Sequence, residues 1–316
     1  MNPGDIFFTT KNTNGHEKNL GVTDGLLIVS LWVDFLDFNR ETFSIMVKFA
    51  VMTFMYSGWA ASDSGSHEAL LEILAEAGAD GVEAFSNHFF DNAALVQRYQ
   101  QKMRELNLCM PVMDLLANLA EPAGAKRDLE YEKMRKGVDI CEDFGTEIVH
   151  LAGCKQPENI SAPDAQRWIA EGMLDFIDDI EKRGMTLAFE DFDPSPGLIC
   201  SAADCLEIIR LTGNRVKFVF DTGNFKAVNE KAEDNFDRLI PHCCHFHFKD
   251  FQTADNPRGY AGTHFGQGVI ANRTIARKIK AAGYQGWVAL ESYLQGSNGP
   301  RETVAPELKT LKSYFQ

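Results

Sequence analysis

The chain has 316 residues, of which 45% are hydrophobic and 24% are charged, a composition typical of a folded globular protein. Its formal net charge of −14 argues against a nucleic acid as the main partner, because binding to phosphates requires a basic stripe. Near the N-terminus the longest apolar stretch is 26–33, far shorter than the roughly 20 residues that cross a bilayer, so we expect no membrane segment.

The seven cysteines include no C-x-x-C pair. In a chain of this size, that usage is typical of reduced thiols in a cytosolic protein. No charged leader with a cleavage site precedes the first apolar stretch. We therefore predict a cytoplasmic protein.

Residues 1–45 differ in pattern from the rest of the chain. The first 25 are polar and contain several glycines, which is typical of loop or disorder, and 26–43 are apolar and aromatic without clear periodicity. A clean strand pattern begins at Met46. We interpret 1–45 as an N-terminal extension that is dispensable for folding, and 46–316 as the functional domain.

From Met46 onwards, short apolar runs alternate with helical patterns that end at glycine. The predicted strands are 47–54, 81–85, 108–114, 147–151, 185–190, 217–221, 243–248 and 287–291. The predicted helices are 66–77, 93–106, 127–144, 162–182, 202–211, 232–240, 270–282 and 306–314. Strict alternation requires a parallel sheet, and eight units in one domain predict an α/β fold, the (β/α)8 TIM barrel. A doubly wound sheet is the rival, but the chain has no G-x-G-x-x-G after its first strand and no P-loop.

Four consecutive predicted strands end in an ionisable residue. These residues are Glu190, Asp221, His247 and Glu291. A buried ionisable group is costly unless it is paired or bound to a metal, and strand ends of this barrel meet at one mouth. Three carboxylates and one imidazole favour Mn²⁺, Mg²⁺, Co²⁺ or Zn²⁺. The alternative is a set of buried ion pairs at the barrel rim.

Four motifs, in this order along the chain, carry a resemblance to a known family. They are L-A-F-E (187–190), F-D-T-G-N (220–224), H-F-H-F-K-D (245–250) and G-Y-Q-G-W-V-A-L-E (283–291). The chain resembles the xylose isomerase-like TIM-barrel superfamily, and within it the sugar phosphate isomerase/epimerase group, from about Val47 to the C-terminus. The resemblance implies one divalent metal, most readily Mn²⁺, held by Glu190, Asp221, His247 and Glu291.

The implied substrate is a small-molecule sugar or keto-sugar. The metal would chelate its carbonyl and adjacent hydroxyl and stabilise an enediolate. In the relatives, the equivalents of Glu190 and Glu291 stand on opposite sides of the substrate, so one can remove a proton and the other return it. The resemblance therefore implies a metal-dependent isomerase or epimerase.

Two departures from the ketose 3-epimerase pattern favour a second reading. Thr253 stands where those enzymes typically have arginine, and Asn224 where they often have histidine. The H-x-H-x-K-D motif with Lys249 is closer to inosose dehydratases, and His150, at the end of the fourth predicted strand, is a further candidate acid or base. The alternative function is therefore a lyase or dehydratase that acts on a keto-inositol or 3-keto-glycoside at the same metal site.

Further candidates lie near the predicted mouth. Lys249 would bind a substrate oxygen or form a structural pair with Asp250. Trp59 would stack on a sugar face or pack at the rim. Asn224 is a candidate substrate-binding residue, and so is His264, which precedes a predicted helix whose backbone N–H groups could hold an oxygen or phosphate.

Two further side chains are predicted to lie near the site, and two other classes of function were considered. His245 and Glu83 are predicted to support the site without binding metal. A DNA-repair endonuclease shares the superfamily but needs three zinc ions and further histidines, and Asn224 occupies one expected histidine position. A metal-free binding protein could also use this scaffold. The sequence leaves the oligomeric state open, a homo-oligomer included.

Overall fold

The computed structural model describes residues 47–62, 65–195, 197–293 and 299–316. Within these ranges, eight parallel strands form a closed barrel: β1 (Lys48–Met52), β2 (Gly81–Phe85), β3 (Cys109–Leu115), β4 (Ile148–Leu151), β5 (Thr186–Glu190), β6 (Lys217–Asp221), β7 (Cys243–Phe248) and β8 (Trp287–Leu290). Around the barrel the strands lie in the order β1-β8-β7-β6-β5-β4-β3-β2. The predicted TIM barrel is confirmed.

A helix follows each barrel strand and covers the outside of the sheet. The helices are α1 (His67–Glu76), α2 (Ala93–Leu106), α3 (Ala125–Phe144), α4 (Ala162–Lys182), α5 (Ala202–Leu211), α6 (Ala232–Leu239), α7 (Asn272–Ala281) and α8 (Pro300–Tyr314). The prediction that the last helix starts at Pro306 is wrong, because α8 begins at Pro300 and contains Pro306 in its interior. Proline suits the first turn of a helix, where its missing N–H needs no partner, and Pro300 provides that start.

A two-stranded antiparallel hairpin, Phe251–Thr253 with Tyr260–Gly262, follows β7 and was not predicted. Its strands have three residues each, too short to show a period-two pattern. Because it follows the C-terminal end of β7, the hairpin belongs to the loops at the mouth of the barrel.

The barrel interior changes from apolar to polar along five of the eight strands, β3, β4, β5, β6 and β8. Apolar side chains fill the lower interior in two groups, Ala50, Met52, Trp287 and Ala289, and Val112, Ile148, Ala188 and Val219. Side chains two residues further on share the same face. On β3, β4, β5, β6 and after β8 these are Asp114, His150, Glu190, Asp221 and Glu291. The polar site therefore rests on an apolar plug.

Two other predictions concern the N-terminus and the membrane. The proposed extension, 1–45, lies outside the described residues. Among the helices that the structure describes, none is both long and apolar enough to cross a bilayer.

Candidate active site

Three of the four predicted metal ligands converge at the mouth. Glu190, Asp221 and His247 each offer one ligand atom, and these atoms lie within 4.8 Å of one another. The Nδ1 atom of His247 lies 3.4 Å from Glu190 Oε2 and 3.9 Å from Asp221 Oδ2. This Nδ1 has no hydrogen-bond partner with good geometry among the described residues. Two carboxylates and an imidazole nitrogen without a hydrogen-bond partner together form a set of donors suited to a divalent cation.

The fourth predicted ligand, Glu291, pairs with a lysine. The Nζ atom of Lys249 lies 2.6 Å from Glu291 Oε2 and 3.0 Å from Asp221 Oδ2, and it donates to Asn224 Oδ1 at 3.1 Å. Lys249 is only 5% exposed. Burial disfavours its charge, but Asp221 and Glu291 outweigh burial and raise the pKa of Lys249 well above its usual value.

The alternative pairing of Lys249 with Asp250 is wrong. Asp250 accepts hydrogen bonds from the backbone N–H groups of Gly266 (3.0 Å), Gly268 (3.0 Å) and Ile270 (3.2 Å). These amides belong to the loop that was expected to bind a substrate oxygen through a helix N-terminus. Asp250 therefore organises this loop and leaves Lys249 to the carboxylate cluster.

The D-T-G-N motif has a local explanation. Asp221 Oδ1 accepts from the backbone N–H groups of Gly223 (2.7 Å) and Asn224 (3.0 Å), which closes the turn and leaves Oδ2 on the site. A Cβ atom at Gly223 would lie 2.6 Å from Lys249 Cγ, so only glycine lets the lysine chain pass. The Asn224 side chain donates to the Asp191 carbonyl oxygen at 2.5 Å, so both ends of its amide are engaged.

Glu83 contacts both histidines of β7. Its Oε1 lies 2.9 Å from His247 Nε2, and its Oε2 lies 3.1 Å from His245 Nε2. All three side chains are fully buried. Burial alone would raise the pKa of Glu83, but His247 and His245 hold it well below its usual range. His245 lies next to the site and not within the cluster of Glu190, Asp221 and His247, as its predicted supporting role requires.

Burial lowers the pKa of His247, but Glu83 and Glu190 outweigh burial, so its pKa is well above its usual value. Each ring nitrogen of His247 thus faces a carboxylate, Glu83 at Nε2 and Glu190 at Nδ1. Burial raises the pKa of Asp221 to about 7, although Lys249 opposes the shift. The mouth thus concentrates negative charge around a position where positive charge is favoured.

His150 pairs with Asp114. Its Nδ1 lies 2.6 Å from Asp114 Oδ1, and its ring centroid lies 5.2 Å from that of His247. The Nε2 atom has no hydrogen-bond partner in the part of the chain that the structure describes. Burial lowers the pKa of His150 to about 4, so the ring is neutral at pH 7. Asp114 was missed as a site residue, although its place at the end of a predicted strand matches that of the four predicted ligands.

A second group of candidate metal donors consists of Glu83, Asp114, His150 and His247. Within it, Glu83 already uses both oxygens on histidines, and Asp114 is bonded to His150. Asp114 Oδ2 and His150 Nε2 remain without a hydrogen-bond partner among the described residues. The group of Glu190, Asp221 and His247 is better suited to an ion, because both oxygens of Glu83 are engaged, whereas the facing nitrogen of His247 makes no hydrogen bond of good geometry.

The contacts of two further predicted residues, Trp59 and His264, are with other parts of the barrel. Trp59 lies in a one-turn helix, Ser57–Ala60, and packs partly buried against the hydrophobic core. The Nδ1 atom of His264 lies 2.6 Å from Glu307 Oε1 on α8, and Glu307 also accepts from Ser292 at 2.5 Å. The structure therefore engages His264 with α8 and not with the metal-ligand candidates.

Comparison with known proteins identifies the family. The family model of the xylose isomerase-like TIM barrel matches residues 71–314. The chain belongs to this family. Its relatives include sugar epimerases, and the buried carboxylate–histidine cluster is one that could hold a metal ion.

Three known proteins are similar to this chain, one in sequence and two in structure. L-ribulose-5-phosphate 3-epimerase UlaE of Escherichia coli K12 is 24% identical over 214 residues, which cover 66% of this chain and 73% of UlaE. The structure of the IolI protein with a bound zinc atom superposes with a TM-score of 0.71 at 15% identity, over 85% of this chain and 98% of IolI. The probable 3-DHS dehydratase AsbF of Bacillus anthracis gives a TM-score of 0.67 at 17% identity, over 84% and 99% of the two chains. At these identities, the two structures show a common fold.

Proposed function

We propose that this chain is a divalent-metal-dependent isomerase or epimerase of a sugar or keto-sugar. The observation that carries the proposal is the convergence of Glu190, Asp221 and His247, with His247 Nδ1 unpartnered among the described side chains and aimed at the two carboxylates. The 3-epimerase activity of UlaE, at 24% identity, supports a sugar substrate.

The residues present fit a divalent ion. Glu190, Asp221 and His247 would hold it, and Glu291 is the fourth candidate, now engaged by Lys249. Mn²⁺ is the ion we favour, because oxygen donors with one imidazole suit it. When bound, such an ion supplies Lewis acidity that polarises a carbonyl and makes the neighbouring C–H more acidic.

The protein itself supplies the proton transfers. Glu190 and Glu291 are 7% and 6% exposed, so both carboxylates are shielded from bulk water at the mouth. Burial raises the pKa of Glu190, but His247 and His150 outweigh burial and keep it below its usual value, so Glu190 is ionised at neutral pH, as a general base must be. In this proposal one glutamate removes the proton and the other returns it, while Lys249 donates a hydrogen bond to a substrate oxygen.

A lyase or dehydratase acting on a keto-inositol or 3-keto-glycoside is the second candidate. The observation that favours it is the neutral imidazole of His150, held by Asp114 at Nδ1 and unpartnered at Nε2 within the described chain. Elimination requires an additional group to move a proton at the leaving oxygen, and His150 is such a group. AsbF, a probable dehydratase, has the same fold.

Deuterium exchange tests and separates these proposals. The metal-stripped protein, reloaded with Mn²⁺, is incubated in D₂O with ketoses, ketose phosphates, inososes and 3-keto-glucosides, and proton NMR follows each C–H. We expect one C–H beside the carbonyl to exchange without loss of water or aglycone. Exchange accompanied by an elimination product would instead establish the lyase. No exchange with any of these substrates by the Mn²⁺-loaded protein would contradict both.

Glutamine variants assign the proton transfers. Glu190→Gln and Glu291→Gln should each lower the exchange rate by at least about 100-fold, because each removes a base of the proposed pair. Glu207→Gln is the matched control, since Glu207 lies on the surface of α5 and pairs there with Arg210. Exchange at the wild-type rate in both site variants would contradict their assignment.

A further inference from the structure

The β2 residue Glu83 is separated by more than 160 positions from the two histidines that it contacts. The barrel closes this distance, because β1 lies between β2 and β8, and β8 pairs with β7. Each carboxylate oxygen of Glu83 faces the Nε2 atom of one histidine, at 2.9 Å for His247 and 3.1 Å for His245.

We propose that Glu83 is a positioning residue that fixes the proton of His247 on Nε2 and so reserves Nδ1 for the metal ion. This inference rests on the proposed function, because it assumes that His247 is a ligand. A carboxylate accepts hydrogen bonds and donates none, so Nε2, which is hydrogen-bonded to Glu83 at 2.9 Å, carries the proton, whereas Nδ1 makes no hydrogen bond of good geometry among the described residues. The lone pair needed for coordination then lies on Nδ1, the nitrogen that faces Glu190 and Asp221.

The same contact fixes the orientation of the ring. A ring held at Nε2 by a buried carboxylate cannot rotate away without leaving Oε1 of Glu83 without its hydrogen bond inside the barrel, which is costly. A carboxylate that is hydrogen-bonded to Nε2 also makes Nδ1 a better metal ligand. Glu83 thus acts through His247, and both His247 and the ion would lie between it and the substrate.

Glu83→Gln tests this role with little change of shape. Glutamine offers one acceptor and one donor where glutamate offers two acceptors, so it cannot serve two N–H groups at once. We expect the affinity for Mn²⁺, measured by calorimetry on the metal-stripped protein, to fall by about 10- to 100-fold. Because the defect lies in metal binding, the deuterium-exchange rate at saturating Mn²⁺ should return to within about fivefold of wild type.

His245→Gln is the matched control. Its side-chain amide can donate to Glu83 Oε2 as the imidazole does, and it leaves the contact with His247 in place. We expect its affinity for Mn²⁺ to stay within about threefold of wild type. Equal loss of affinity in both variants would overturn the proposal, because any disturbance of β7 would then suffice.

The remaining outcomes separate the two proposals. If wild type binds Mn²⁺ and Glu83→Gln binds it equally well, the role of Glu83 is overturned and the metal site stands. If Glu83→Gln stays slow at saturating Mn²⁺, Glu83 does more than position a ligand and the proposal is also overturned. If wild type binds no Mn²⁺, the proposed function fails, and the role of Glu83 fails with it.

Discussion

The Lys249 side chain brings a positive charge into a cluster of carboxylates. Glu190, Asp221 and Glu291 carry three negative charges when ionised, and the ammonium of Lys249 contacts two of these groups. The remaining charge of about −2 matches a divalent ion. A single buried lysine can therefore balance the third carboxylate while it presents a hydrogen-bond donor at the mouth.

Lys249→Met tests this role. Removing one charged donor from a buried catalytic site typically costs about 10²-fold or more in rate, and we expect that loss in deuterium exchange at saturating Mn²⁺. The affinity for Mn²⁺ should not fall, because the variant removes a cation that competes for Asp221 and Glu291. Lys226→Met is the control, since the ammonium of Lys226 lies over the Tyr260 ring. Wild-type exchange by Lys249→Met would exclude a catalytic role.

At the scale of strands and helices, much of the site follows from the sequence. The period of two along a strand places Ala188 and Glu190, or Val219 and Asp221, on one interior face. Since the strands are parallel, their polar ends meet at one mouth. A run of apolar residues that ends in an acid therefore predicted which side chains line the site.

The contacts between distant strands could not be predicted in this way. That Glu83 meets His247 depends on the closure and register of the barrel, and local spacing carries no such information. Lys249 was predicted as a site residue. That it pairs with Asp221 and Glu291 and not with Asp250 depends on the path of its long side chain past Gly223. Short elements such as the hairpin after β7 also carry too little pattern to be recognised.

The loop between this hairpin and α7 depends on one side chain. The carboxylate of Asp250 accepts from the amides of Gly266, Gly268 and Ile270, besides that of Phe251. Asp250→Asn replaces one acceptor with a donor that faces these N–H groups, and we expect it to destabilise the protein by about 1–3 kcal/mol.

Hydrogen exchange and thermal unfolding measure this effect. Faster amide exchange should be concentrated in residues 263–270, together with a lower Tm. Asp255→Asn, in the turn of the hairpin, is the matched control and should change neither quantity. Unchanged exchange in 263–270 of the Asp250 variant would show that the loop is held by other contacts.

For the whole molecule, the site should couple metal binding to stability. An ion that binds only the folded state adds about 2.7 kcal/mol to the free energy of unfolding when its concentration is 100 times its Kd. We therefore expect Mn²⁺ to raise the Tm of the metal-stripped protein by several degrees and EDTA to reverse the change. Asp221→Asn should lose most of this shift. An equal shift in that variant would mean that the ion binds elsewhere.

The domain boundary remains a prediction at this scale. The strand pattern begins at Met46, and β1 begins at Lys48. A chain that starts at Met46 should fold with the same Tm and bind Mn²⁺ as tightly as the full chain, because the barrel is closed by its own strands. Loss of cooperative unfolding in the shortened chain would show that 1–45 are needed for folding.

Anomalous diffraction from crystals soaked in Mn²⁺ would locate the ion and its ligands. We expect one strong anomalous peak per chain, coordinated by Glu190 and Asp221 oxygens and by His247 Nδ1. A peak coordinated instead by Glu83, Asp114 and His150, or no peak at saturating Mn²⁺, would contradict this expectation.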